Sequence, residues 1–120
     1  MKHEESKIQK HCVMYFRLAY PEYAGVFFAV PNGGSRNAIE AARLKAEGVL
    51  AGVADLLLLV PNGQYNCLAI EMKTDKGRQS ERQKEFETAL TSNGGKYVVC
   101  RSFDDFKKEI CNYLNYSNLK

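Results

Sequence analysis

The sequence predicts an α/β domain, a mixed β-sheet flanked by helices in the order α-β-α-β-β-α-β-α. Three observations carry that expectation. Apolar residues recur at helical spacing near both ends of the chain. Short apolar β runs, GVFFAV, VADLLLLV and KYVVCR, stand between them. Pro61-Asn62-Gly63-Gln64 joins two such runs in the manner of a hairpin. With 120 residues the chain can build one core but not two, so residues 1–120 are read as a single domain.

The elements follow in order. Ile8, Cys12, Tyr15, Phe16 and Ala19 share one helical face, so Glu4 to Ala19 reads as a helix stopped by Pro21. Gly25 to Val30 reads as a strand closed by the turn-like PNGGS. Asn37 to Glu47 is a charged helix ended by Gly48. Val53 to Val60 is a continuous apolar run of the kind buried on both faces, and Tyr65 to Lys73 is its partner strand. Ser80 is an N-cap for a helix from Glu81 to about Ser92, with Gln83 completing a capping box. Asn93-Gly94-Gly95 ends that helix. Lys96 to Arg101 is the last strand, and a final helix after Ser102 buries Phe103, Phe106, Ile110 and Leu114.

Composition excludes several classes. No apolar run approaches the ~20 residues that cross a bilayer, and MKHEESKIQK has no apolar leader segment, so an intracellular, cytoplasmic protein is expected. Cys12, Cys67, Cys100 and Cys111 lack zinc-like spacing and read as reduced, buried small hydrophobes. His3 and His11 have no third ligand nearby in sequence. The net charge of +3 permits contact with nucleic acid without demonstrating it.

The chemistry concentrates in three ionisable residues inside strand contexts, Asp55, Glu71 and Lys73. A carboxylate buried unpaired before four leucines is costly, and two converging carboxylates raise one pKa unless a cation intervenes. A hard divalent ion such as Mg²⁺ answers this with one or two carboxylates, waters and distances of roughly 2.0–2.1 Å. Strand alternation puts Lys73 on the face of Glu71, beside such an ion. The hairpin decides whether the acids meet. A two-residue loop Asn62-Gly63 sets Asp55 opposite Ile70 and the acids on opposite faces. A three-residue loop Asn62-Gly63-Gln64, with Gly63 or its neighbour left-handed, sets Asp55 across from Glu71; the odd loop, or an equivalent bulge, is expected. The plainer alternative is a turn-capping Asp55 and a half-exposed Glu71–Lys73 ion pair.

In this order and spacing the residues resemble the PD-(D/E)XK nuclease superfamily, and within it the VRR-NUC (virus-type replication-repair nuclease) family. The resemblance covers nearly the whole chain: Glu5-Ser6-Lys7-Ile8-Gln9, Pro31 to Arg36, Leu44 to Val49, Ala51 to Leu56, Ile70-Glu71-Met72-Lys73, Gly77 to Ser80 with Gln83, and Gly94 to Val99. Ala54 departs from the family, which usually carries proline before the aspartate. The resemblance implies a restriction-endonuclease-like core. It implies Asp55, Glu71 and the backbone carbonyl of Met72 as ligands of Mg²⁺ or Mn²⁺, with Lys73 as the catalytic lysine. Glu5 then supports a second metal or its waters, although a glutamate at a helix start is also favoured by the dipole. Gln83 falls near the site, and its capping role and a site role are compatible.

The expected function is a metal-dependent, structure-specific endodeoxyribonuclease acting on branched DNA, four-way junctions above all, as a homodimer without an organic cofactor. The alternatives are a flap- or restriction-type nuclease and a non-catalytic DNA-binding module. Asn32 to Ser35 offer backbone NH groups to a phosphate, and Arg36 and Arg78, with Arg43, Lys45, Lys76, Arg82 and Lys84, offer cations along the way. Phe16, Tyr20, Tyr23 and the Tyr-rich C-terminal helix offer an apolar dimer surface, although core packing accounts for most of them.

Overall fold

Helix α1, His3–Ala19, opens with Glu4 and Glu5 and closes with Arg17, charges that complement its dipole. Its inner stripe buries Cys12 and Phe16 completely. The computed structural model describes residues 3–31 and 37–115. Pro21 starts a 3₁₀ helix, Pro21–Val26, that takes up the first part of the expected strand. Strand β1 is therefore only Phe27–Ala29, the residues that find ladder partners.

Helix α2, Ala38–Ala46, is capped by Asn37, whose side chain accepts from the Glu40 N–H at 2.7 Å. None of its residues is fully buried. Strand β2 is Leu56–Leu58 and β3 is Leu68–Met72. The expected long strand Val53 to Val60 shortens, because the Leu59 N–H turns to Val26 O at 2.9 Å and Leu59 is half-exposed. The return strand shortens too: Asn66 N–H donates to Gly94 O at 2.9 Å, and Cys67 O accepts from Lys96 N–H at 2.9 Å.

The connection between β2 and β3 is thus longer than the expected three-residue hairpin. Asn62 organises it. Its side-chain oxygen accepts from the Gln64 and Tyr65 N–H groups at 3.0 and 2.8 Å, and its amide donates to Tyr113 O at 3.0 Å. Gly63 has φ +93°, the left-handed conformation the turn requires. The register is nevertheless the one the odd loop gives: Leu56 opposes Ile70, Leu57 opposes Ala69 and Leu58 opposes Leu68, all antiparallel.

Helix α3, Glu81–Ser92, carries the full capping box of Ser80 and Gln83. It crosses to β4, Lys96–Cys100, which runs parallel to β3. Helix α4, Phe103–Asn115, closes the described chain. The sheet order is β1-β2-β3-β4, a four-stranded mixed sheet. On one face Leu56, Leu58, Leu68, Ile70, Met72, Val98 and Cys100 pack with Cys12 and Phe16 of α1 and Phe106, Ile110 and Tyr113 of α4. On the other, Ala69 and Tyr97 pack with Leu57, Val99 and the α3 residues Phe86 and Leu90.

One expectation about single residues changes. Cys12 and Cys100 are buried, but Cys67 is half-buried and Cys111 exposed; Cys111 lies on the outer side of α4, away from Ile110. Phe16 and Tyr113 are core residues, and Tyr20 and Tyr23, partly buried, pack against that core, in keeping with the expectation that core packing accounts for most of them.

Candidate active site

The antiparallel register carries Asp55, one residue ahead of β2, up to the C-terminal end of β3. There its Oδ2 accepts a hydrogen bond from the Met72 N–H at 2.7 Å. The same register brings Asp55 beside Glu71, and the two carboxyls interact directly. Both are buried, Glu71 at 2% exposure and Asp55 at 9%. Lys73 lies one residue past β3, its N–H bonded to Cys100 O at 3.0 Å. Its Nζ is 3.7 Å from Glu71 Oε2. The three residues therefore gather on the α3 face of the sheet.

Helix α3 completes the cluster. Gln83 donates from Nε2 to Glu71 Oε2 at 2.7 Å, while its Oε1 accepts from the Ser80 N–H at 2.8 Å. One amide thus closes the helix cap and holds the glutamate. Gly52 lets the preceding loop lie against the helix: a Cβ there would stand 2.5 Å from the backbone C and O of Arg82.

Sequence reasoning missed two contributors. The Tyr97 hydroxyl donates to Glu71 Oε1 at 3.5 Å, a contact that depends on the β3–β4 register, which no local motif encodes. Arg101 Nη1 donates to Thr74 O at 2.7 Å and Gly77 O at 2.8 Å, with Asp75 O at 3.4 Å. One guanidinium so gathers the carbonyls of the loop that follows Lys73. Arg101→Ala is expected to destabilise the fold by about 1–2 kcal/mol, the scale for losing charge-assisted hydrogen bonds to part-buried carbonyls. It should also loosen residues 74–77, read as faster amide exchange there than in β3.

Burial raises the Glu71 pKa from 4.5 to about 8. The charge of Asp55 and a hydrogen bond with it push the same way, and Lys73 and Tyr97 oppose them. At neutral pH Glu71 therefore holds its proton more tightly than an ordinary carboxyl. Because the folded pKa lies above the unfolded one, this group's contribution to stability is complete below pH 4.5 and is lost as pH rises through about 8. In EDTA, the melting temperature of the wild type relative to Glu71→Gln is expected to fall across that window and then level off. Parallel curves for the two proteins would refute the assignment. Mg²⁺ should reduce the loss at high pH, since a bound cation replaces the proton.

The donor set suits a hard cation. Two buried carboxyls in contact match the one or two carboxylates, completed by waters, that hold Mg²⁺. Among the described residues no group of three His, Cys, Asp or Glu gathers as a metal cluster, and His11 instead stacks on Phe103 with centroids 4.0 Å apart. Glu5 occupies the first turn of α1, whose buried residues pack on the opposite face of the sheet. One turn further on, the side-chain oxygen of Gln9 is buried without a hydrogen-bond partner.

The candidate DNA contacts divide. Asn32, Gly33, Ser35 and Arg36 lie outside the described residues. Arg78 is exposed on the segment leading to α3. Arg43, Arg82 and Lys84 form local exposed pairs with Glu47, Glu85 and Glu81 at 2.9, 3.5 and 3.7 Å, pairs weak enough to exchange for phosphates.

A mixed four-stranded sheet between helices, with an acid pair and a lysine at one end of its central strands, places the chain in the class of nuclease-type α/β domains. The chain belongs to the VRR-NUC domain family, whose family model matches residues 4–104. It is similar to a solved structure described as a VRR_NUC domain protein, at 25% identity and a TM-score of 0.80 over 93% of this chain and 88% of that one. No curated protein matches it. Family membership implies a nuclease-type function with DNA as substrate. Among the described residues no helix is long and apolar enough to cross a membrane.

Proposed function

We propose that the chain is a divalent-metal-dependent endodeoxyribonuclease of the PD-(D/E)XK superfamily, cutting branched DNA, four-way junctions first, as a homodimer. The observation that carries this reading is the buried contact between Asp55 and Glu71 with Lys73 beside it. Two adjoining buried acids beside a single ammonium are a donor set that suits a bound cation. Mg²⁺ or Mn²⁺ held there supplies neutralisation of the phosphate and a more acidic water.

The chain's own groups do the rest. Asp55 and Glu71, with the Met72 carbonyl, hold the cation, and Glu5 acts through water or a second ion. Gln83 fixes the plane of the Glu71 carboxylate. Lys73 places a positive charge where negative charge builds as water adds to phosphorus and the bond to the leaving oxygen breaks. Asn32, Gly33, Ser35, Arg36 and Arg78 take neighbouring phosphates, positioning the strand without reading bases.

A dimer has surface available. Between α2 and α3 lies an apolar groove of about 760 Å³, lined by Leu44, Val49, Leu50, Phe86 and Ala89 among others. Val49 and Leu50 are at least half-exposed on it, and exposed apolar patches of this kind mark association sites.

Purified protein with Mg²⁺ or Mn²⁺ and matched duplex, flap and four-way-junction DNAs tests the proposal. Cleavage of the junction alone is expected. Equal cleavage of plain duplex removes the junction specificity, and binding without cleavage removes the nuclease. Sedimentation of the free protein as a monomer removes the dimer.

A further inference from the structure

The two oxygens of Glu71 are held by different elements. Oε2 takes Gln83 Nε2 of α3 at 2.7 Å and lies 3.7 Å from Lys73 Nζ. Oε1 takes the phenol of Tyr97, in β4, at 3.5 Å. Gln83 and Lys73 both act on Oε2, so Tyr97 supplies the hydrogen bond that holds Oε1.

Tyr97 is well placed to do so. It sits across the parallel ladder from Ala69, with its side chain on the same face as Glu71 by strand alternation. Its ring packs on Phe86 of α3, centroids 6.3 Å apart, and only 9% of the residue is exposed. Nearby, Gln79 donates from Nε2 to Glu87 Oε1 at 2.9 Å. The packed ring thus holds the hydroxyl at Glu71. An ionised carboxylate only accepts, so a phenol O–H is the right chemistry for the oxygen turned away from Gln83. At 3.5 Å the bond is long, beyond the usual O–H···O range.

We propose that Tyr97 is a positioning residue for the cation site: it fixes Glu71 through Oε1, as Gln83 does through Oε2, and so sets the affinity for a divalent ion. The inference rests on Asp55 and Glu71 holding that ion. Groups that orient metal ligands commonly account for 10- to 100-fold in metal affinity.

Mn²⁺ titration of the full chain, followed by calorimetry or by the spectrum of free Mn²⁺, tests it with Tyr97→Phe, which keeps the ring against Phe86. The variant is expected to bind Mn²⁺ about 10-fold more weakly with an unchanged melting temperature. Its cleavage rate should fall at limiting Mn²⁺ and recover at excess, with the KM for DNA unchanged. A purely packing role would move none of these. Wild-type Mn²⁺ affinity in Tyr97→Phe, or weaker binding that appears only together with loss of the folded transition, overturns the inference. A wild-type protein that binds no Mn²⁺ overturns the cation site itself, and the positioning role with it.

Discussion

Lys73→Ala is expected to lower the rate of DNA cleavage by about 10²–10³-fold, the effect of removing one charge-stabilising group from a phosphoryl- or acyl-transfer site. The loss has two sources. In the proposed reaction the ammonium beside the phosphate disappears, and Glu71 loses the positive charge that helps it ionise. The second effect weakens cation binding, so excess Mn²⁺ should recover part of the loss and the first effect should persist. The fold should survive, because Lys73 lies beyond the last paired residue of β3 and is not part of the core. Single-turnover cleavage with and without excess Mn²⁺, beside a thermal melt, separates these contributions. Activity within a factor of two of wild type would remove Lys73 from the reaction.

Gly52→Ala is expected to give the largest loss of stability, about 2–5 kcal/mol. Its φ of +87° is in the left-handed region, which adds about 1–2 kcal/mol for any side chain. The new Cβ would also meet the backbone C and O of Arg82 at 2.5 Å, and overpacking of that kind adds about 1–3 kcal/mol. A helix backbone cannot step aside as a flexible side chain can. Any adjustment displaces the start of α3, which carries Gln83, or the loop, which leads directly to Asp55. Activity should therefore fall with stability. Gly48→Ala is the matched control: φ is +104° but nothing lies within 4 Å of its Cβ, so only the backbone strain of about 1–2 kcal/mol remains. Equal melting temperatures for the two variants would show that the close approach to Arg82 does not exist.

Much of this arrangement was legible in the sequence because it depends on local chemistry. Ser80 and Gln83 announce the start of α3 by their spacing, and Asn37 announces α2. The pairing of Asp55 with Glu71 followed from the requirement that two acids share one sheet face, and the observed register satisfies it. The loop that achieves it was not legible. Asn62 anchors it to Tyr113 on α4, a partner fifty-one positions away that no turn rule supplies. The strands came out shorter than their apolar runs for the same reason: Leu59 and Val26, Asn66 and Gly94 pair according to tertiary position rather than residue type. Tyr97 and Arg101 were unreadable because each acts across the β3–β4 boundary, where a parallel register is set by the α3 crossover and not by a turn.

The central claim is that Asp55 and Glu71 grip one divalent cation beside Lys73. Crystals of the protein soaked in Mn²⁺ and recorded at the manganese absorption edge test it most directly. A single anomalous peak is expected between the carboxylates of Asp55 and Glu71, within contact of the Met72 carbonyl and absent from Glu71→Gln crystals. Manganese sites only elsewhere on the molecule, with none between Asp55 and Glu71, would contradict the account.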